Sequence, residues 1–458
     1  MSFSLFRTVF RKRCQQFAGI PGPEPIFPVG TTLDFLHGQP WEVCASYVPK
    51  FGGLTLIWLG PTPALVVNDP ELLFDIFERQ RQDYYKDAPG PALAPVIMPG
   101  NLFTSNEPRW ASARQQHPLS KVDMNAWLSR QAAALHPLLL SGLQDWIKKP
   151  ASRPVDLHDE MQSLAWKMFS KSFWGEVLSD GHFRWFKSLA RVGSRRMFVA
   201  AIPPVNPWFL WSRRQWYRTL TQRIRDVRQQ PDPTDPSLLQ TVLPMVQGMP
   251  DFVLADSMGV DFFGGVFSCS STINTALYLL AQHPEEATKL KADLATFMRP
   301  GQAPDFDALV SCPRLDWVMR EAMRYYPAVP LYFRNTVKDR SVQLGGHTIP
   351  PNTQIFISNW YLHKESDHWT DPQTFRPERW SNGGVEADPI GSGYFFPFGR
   401  GPRECIGKPF ATFFIKLMLA TLLTESRVGM NPSQPYKQSF FFAVMSPKKM
   451  TAIFRPVS

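Results

Sequence analysis

The stretch Phe398-Gly399-Arg400-Gly401-Pro402-Arg403-Glu404-Cys405-Ile406-Gly407 places one cysteine at the end of a glycine-spaced loop, directly ahead of an apolar run over residues 410–424 that reads as a helix. Glycines at 399 and 401 allow positive φ and a close approach of backbone to a flat ligand, and Gly407 opens the helix without a side chain. Cys405 therefore stands near a helix N-terminus, where the dipole and the free N–H groups favour a thiolate. The competing reading is a buried structural cysteine in a glycine-rich turn. Other segments decide between the two.

Glu321 and Arg324, three residues apart in Glu321-Ala322-Met323-Arg324, fall on one helix face and can pair. Taken alone, such a pair is a solvated salt bridge. Downstream lies Phe375-Arg376-Pro377-Glu378-Arg379-Trp380, and upstream Trp110-Ala111-Ser112-Ala113-Arg114 sets an indole and a guanidinium one helical turn apart. In this order the four segments resemble the cytochrome P450 family, whose haem-binding signature the cysteine loop matches position by position. The resemblance implies that Cys405 is the axial thiolate ligand of a haem b iron, with Phe398 and Gly399 in the loop that cradles it. It implies that Trp110, Arg114, Arg334 and Arg403 hold the propionates, since two buried carboxylates need cations. Arg379 would join Glu321 and Arg324 in a buried triad that braces the loop, a use suited to a planar guanidinium.

The fold implied is mainly α with a minor β region, a single domain over residues 21–458 preceded by a basic amphipathic segment, residues 1–20. Length alone admits two or three domains, but no linker, repeat or composition break divides the chain. Apolar periodicity predicts helices near residues 132–146, 252–282 and 410–424. Residues 54–58 and 64–67 read as a hairpin joined across Gly60-Pro61-Thr62-Pro63, and residues 231–236 as a surface loop.

In the family, the long central helix carries a small-residue pair, an acid and a threonine that deliver protons on the oxygen-binding face. Here the aligned residues are Gly264-Gly265-Val266-Phe267-Ser268-Cys269. Gly264 and Gly265 match, Phe267 stands where the acid is expected, and Ser268 keeps a hydroxyl while losing the β-branch. A phenyl ring carries no proton. Asp261 is near in sequence, but two helical turns away it is too far to replace the acid directly. Three functions remain open: a monooxygenase inserting one oxygen atom of dioxygen into a hydrophobic small molecule; a hydroperoxide isomerase, dehydratase or peroxide-driven enzyme, favoured by Phe267; and a non-catalytic haem-thiolate protein.

No segment reads as a flavin or iron–sulfur domain, so electrons are expected from a separate ferredoxin or flavoprotein reductase. The chain carries a net charge of +10, and Arg400, Lys408 and Lys416 are expected on a basic surface that steers an acidic partner. The basic residues form no long run, which argues against nucleic acid. Five scattered cysteines suggest reduced thiols, an intracellular setting and no zinc site. A monomer is expected, cytoplasmic or peripherally bound to membrane. Near the start, Phe3, Phe6 and Phe10 share a helical face with Arg7, Arg11, Lys12 and Arg13 alongside, which fits an interfacial membrane helix, an organelle-targeting segment or a frayed end. No apolar run of about twenty residues precedes Pro21, so a spanning anchor is not expected. The resemblance puts pocket walls at residues 95–103, 197–209, 263–267, 329–331 and 440–444, all apolar, suggesting a lipid, terpenoid or steroid-like substrate.

Overall fold

Gly60 and Pro61 alone make the turn of the N-terminal hairpin. Strand Leu54–Leu59 pairs antiparallel with Thr62–Val67, Leu59 facing Thr62, and Gly60 takes φ 60°, as a tight two-residue turn requires. Thr62 and Pro63 therefore belong to the strand and not to the turn. Pro63 is tolerated because the second neighbouring strand begins its pairing only at Ala64. This computed structural model describes residues 3–86, 102–103, 105–198, 207–381, 393–431, 433–441 and 443–457, the side chains of residues 3–4 and 193–198 excepted. The chain divides into two compact units: Met1–Pro91, Arg324–Thr374 and Val385–Cys405 form one, and Ala92–Met323, Phe375–Gly384 and Ile406–Ser458 the other.

In the first unit a five-stranded sheet runs in the order Leu54–Leu59, Thr62–Val67, Gln354–Ser358, Leu331–Thr336, Tyr84–Tyr85. Its inner face packs Leu65, Val67, Ile355 and Ile357 against the N-terminal residues. Phe6 is fully buried, edge-on to Trp58 at 5.1 Å, and Phe10 lies 4.7 Å from Phe6 and stacks on Phe27 at 6.2 Å. Phe17 and Ile20 complete that cluster. Phe6 and Phe10 thus pack into the protein core, and the cations Arg7, Arg11, Lys12 and Arg13 stay exposed.

The second unit is built around the central helix Asp251–Gln282. Among the described residues this is the one helix long and apolar enough to cross a membrane, and most of it is buried inside the protein. It packs against the helices Leu157–Trp174, Pro207–Gln229 and Lys408–Glu425, with Trp166, Phe169, Phe173, Phe186, Trp216 and Phe262 filling the spaces. The helix over 132–146 begins earlier, at Met124, because Asp123 accepts from the Ala126 N–H as an N-cap. Residues 231–236 form the expected loop between Pro207–Gln229 and Leu238–Val242, where Asp232 accepts from Thr234. Lys416, expected at the surface, is 3% exposed and held by Asp316 at 3.1 Å and the Val310 carbonyl at 2.8 Å. It sits mid-helix on the side that packs inward, so its charge is neutralised internally.

Candidate active site

The cysteine loop belongs to the first unit and keeps the backbone its glycines foretell. Gly399 and Gly401 adopt φ 77° and 70°. A Cβ on Gly401 would lie 2.5 Å from the Phe77 carbonyl oxygen, so that position excludes any side chain. The Cys405 N–H donates to the Phe398 carbonyl at 2.8 Å, closing the loop just before Gly407 caps the helix Lys408–Glu425. Cys405 is exposed while Cys44, Cys269 and Cys312 are buried and Cys14 is half-buried. A free cysteine ordinarily hides, so an exposed thiol at a glycine-lined helix start fits a ligating role.

Two side chains outside the motif hold this loop. Tyr332 donates to the Phe396 and Pro397 carbonyls at 3.2 and 2.9 Å. His363, fully buried, accepts from the Phe396 N–H through Nε2 at 3.2 Å. Arg400, expected to face a partner, is bound to Glu78 at 2.5 Å and lies over the Phe74 ring. Arg324 is buried and donates to the carbonyls of His363, Pro372 and Thr374 at 2.9 to 3.2 Å, so it ties together the chain that carries His363.

Cations converge beside Cys405. Arg334 lies over the Phe77 ring at 5.0 Å, and burial followed by the charge of Arg403 lowers its pKa to about 10. Strand Tyr84–Tyr85 pairs antiparallel with Leu331–Thr336, Tyr84 facing Thr336 and Tyr85 facing Asn335. Lys86 follows that strand directly, and Arg334 precedes Asn335 on its partner. Burial first, then Arg334 and Arg403, pull the Lys86 ammonium down to about 7. Like charges held close together disfavour one another. A ligand bearing two carboxylates would relieve this cluster, and that is the donor set haem propionates need. Lys86 escaped the reading by motif because only the pairing of its strand brings it near Arg334.

In the second unit, Trp110 is buried on the helix Arg109–Gln116, with the Arg114 guanidinium 5.9 Å from its ring. Glu321 is fully buried. Its carboxylate accepts from Arg379 Nε at 3.0 Å, the Arg376 N–H at 3.0 Å and Trp380 Nε1 at 2.9 Å, which accounts for the acid and the second arginine of the expected triad.

On the central helix the two glycines differ. A Cβ on Gly264 would meet nothing within 4 Å, whereas one on Gly265 would lie 2.2 Å from the Phe169 ring. Gly264 therefore opens a face and Gly265 permits close helix packing. Ser268 donates to the Gly264 carbonyl at 2.5 Å, one turn back along the open side. Phe267 is 2% exposed, stacked on Phe186 at 5.3 Å and edge-on to Phe441 at 5.0 Å. Its ring is packed among aromatics and does not share the Gly264–Ser268 side. Phe263 is likewise packed on Phe186, at 4.5 Å. Of the expected pocket walls, residues 95–101, 199–206 and 442 lie outside the described residues.

A cysteine exposed in a glycine-spaced loop with a cation cluster beside it is the arrangement of the haem-thiolate class of oxidative enzyme. The Cytochrome P450 family model matches residues 20–454, and the chain belongs to that family; it is a haem b-dependent monooxygenase. It is similar to cytochrome P450 3A6 of Oryctolagus cuniculus, 25% identical over 435 residues covering 88% of this chain and 85% of the relative. Cytochrome P450 3A28 of Bos taurus is 27% identical over 443 residues, with 88% and 84% covered. For cytochrome P450 3A5 of Homo sapiens the identity is 26% over 439 residues, with the same coverage.

Proposed function

We propose that this cytochrome P450 inserts one atom of dioxygen into an apolar small molecule with electrons from a separate ferredoxin or flavoprotein reductase, and that its central helix conducts protons without an acid at position 267. Bound through Cys405, haem supplies the dioxygen reduction and the oxidising power. Lys86, Arg334, Arg403, Trp110 and Arg114 are the groups that would hold its carboxylates. Tyr332 and His363 keep the thiolate loop in register.

The observation that carries this reading is the strip Gly264–Ser268. Phe267 departs from the family pattern, yet its ring is packed away among Phe186 and Phe441, which leaves the open side of the helix lined by a hydroxyl and carbonyls. Such a strip suits ordered water and proton transfer. The second reading, hydroperoxide chemistry, draws on the same substitution, since that chemistry needs no acid there. Product formation that requires both dioxygen and a reductant supports the first. Turnover sustained by a fatty hydroperoxide under argon, with none from dioxygen and reductant, supports the second.

For membrane contact, the favoured surface is the start of the helix Pro207–Gln229. Trp208, Leu210 and Trp211 are about half exposed there, next to Arg213 and Arg214, a pairing of aromatics and cations suited to an anionic lipid interface. Sedimentation with phosphatidylserine vesicles, lost on Trp208→Ser with Trp211→Ser, tests it.

A further inference from the structure

Exposure along the central helix follows a helical period. Between Leu254 and Ser270 the residues not buried are Ser257, Asp261, Gly264, Gly265 and Ser268, spaced four, three, one and three apart, and hence on one face. The intervening Phe262, Phe263, Val266 and Phe267 are between 0% and 3% exposed. This stripe starts next to the exposed turn at Phe252 and Val253 and ends at the Ser268 hydroxyl.

Asp261 is its only carboxylate. Its side chain is 12% exposed, and Oδ1 lies 3.4 Å from Nε2 of His117, whose side chain is 1% exposed. The His117 Nδ1 accepts the Leu119 N–H at 3.3 Å, while Nε2, the ring nitrogen nearest the carboxylate, is buried with no hydrogen-bond partner among the described residues. Asp261 Oδ2 is buried with no hydrogen-bond partner among the described residues. Leaving a carboxylate oxygen buried and unsatisfied is costly, and a group retained in that state is a candidate for exchange with transient water.

We propose that Asp261, packed against His117, feeds protons along this stripe to Ser268 and so replaces the acid absent at Phe267. The inference rests on the oxygenase reading above. In each cycle dioxygen takes up two electrons from the external donor and two protons, one oxygen atom entering the product and the other leaving as water. The proton passes through Oδ2, which has no hydrogen-bond partner among the described residues, while the His117 ring stands 3.4 Å from Oδ1. Solvent reprotonates Asp261 from the Ser257 end. The seven residues from Asp261 to Ser268 rise about 10 Å, a gap that two or three waters span. Ser268 donates its own hydrogen to Gly264 and so presents lone pairs to the chain that reaches it. His117 is a positioning residue, because its Nδ1 is occupied by backbone and it cannot relay.

The test uses the haem-loaded enzyme, reduced by a photoexcited deazaflavin under light that saturates electron supply, with oxygen consumption followed in H2O and in D2O. Asp261→Asn is expected to slow consumption about tenfold or more, in line with a lost general acid, and to enlarge the solvent isotope effect. Asp261→Glu should recover most of both. His117→Asn keeps the carboxylate but not the ring packed against it, and should enlarge the isotope effect with a smaller loss of rate. The reduced carbon monoxide band at unchanged intensity certifies the haem site in each variant. A wild-type rate and isotope effect in Asp261→Asn overturn the proposal. Should that variant fail to take up haem, unchanged values in His117→Asn overturn it equally. Wild-type protein that consumes no oxygen at all would sink the oxygenase reading itself, a separate result.

Discussion

Lys86 offers a direct measurement of how the cation cluster meets its ligand. Its ammonium is held near 7, from an ordinary 10.5, by burial and then by Arg334 and Arg403. The folded apoprotein therefore disfavours the charged form. Between pH 7 and 10.5 the unfolded chain binds more protons than the folded one, and apoprotein stability rises with pH across that window. Two carboxylates of a bound haem, held by this cluster, would reverse the balance and restore its charge. Haem binding above pH 7 then takes up a proton, and affinity falls by up to about tenfold for each pH unit. Equilibrium partition of haem between the enzyme and apomyoglobin from pH 7 to 9 reads this slope. Wild type should lose haem progressively to apomyoglobin, whereas Lys86→Met, with no group to protonate, should show a flatter profile. Lys86→Arg keeps a permanent charge and should be flat as well, with tighter retention. Parallel profiles for wild type and Lys86→Met would refute the coupling.

The paired glycines should respond in opposite ways. Gly264→Ala adds a methyl to open space and should fold normally while shifting the Soret band or ligand affinity, whereas Gly265→Ala drives a methyl into Phe169 and should lose about 1–3 kcal/mol in denaturant unfolding. Glu321→Gln leaves the fully buried Arg379 without its counter-charge, and a loss of about 3–5 kcal/mol with poor haem retention is expected by chemical denaturation and the haem-to-protein absorbance ratio. Lys364 sits within 4.3 to 4.8 Å of the rings of Trp360, Tyr326 and Tyr325, and burial lowers it to about 8. Its folded form disfavours charge, so wild-type stability should rise between pH 8 and 10.5 relative to Lys364→Met, a difference that thermal melts across that range would register or exclude.

Those outcomes separate what a chain declares locally from what only its packing decides. The cysteine loop was legible because its constraints are local. Gly399 and Gly401 are needed for their own φ and for the Phe77 carbonyl, and Gly407 caps the next helix, so order of residues alone carries the geometry. The 32-residue central helix was legible within one residue at its start because an unbroken apolar periodicity ends at a proline. Glu321 and Arg379 could be paired only through resemblance, since 58 positions separate them. Phe6 looks identical in sequence whether it meets lipid or Trp58, and amphipathicity cannot say which apolar surface a helix covers.

The same limit governs the oxygen face of the central helix. Position 267 reads in sequence as an acid replaced, as if the residue type at one site fixed the proton route. Which helical positions stay open depends instead on neighbours that the periodicity of this helix cannot name. Phe186 and Phe441 take the Phe267 ring, Phe169 fills the space beside Gly265, and His117 meets Asp261 from another helix end. Once those contacts are fixed, the open positions line up from Ser257 to Ser268, and the chemistry lost at one residue can be supplied two turns away along the same face. A family motif records where the acid usually stands; the packing around the helix determines where an acid can act.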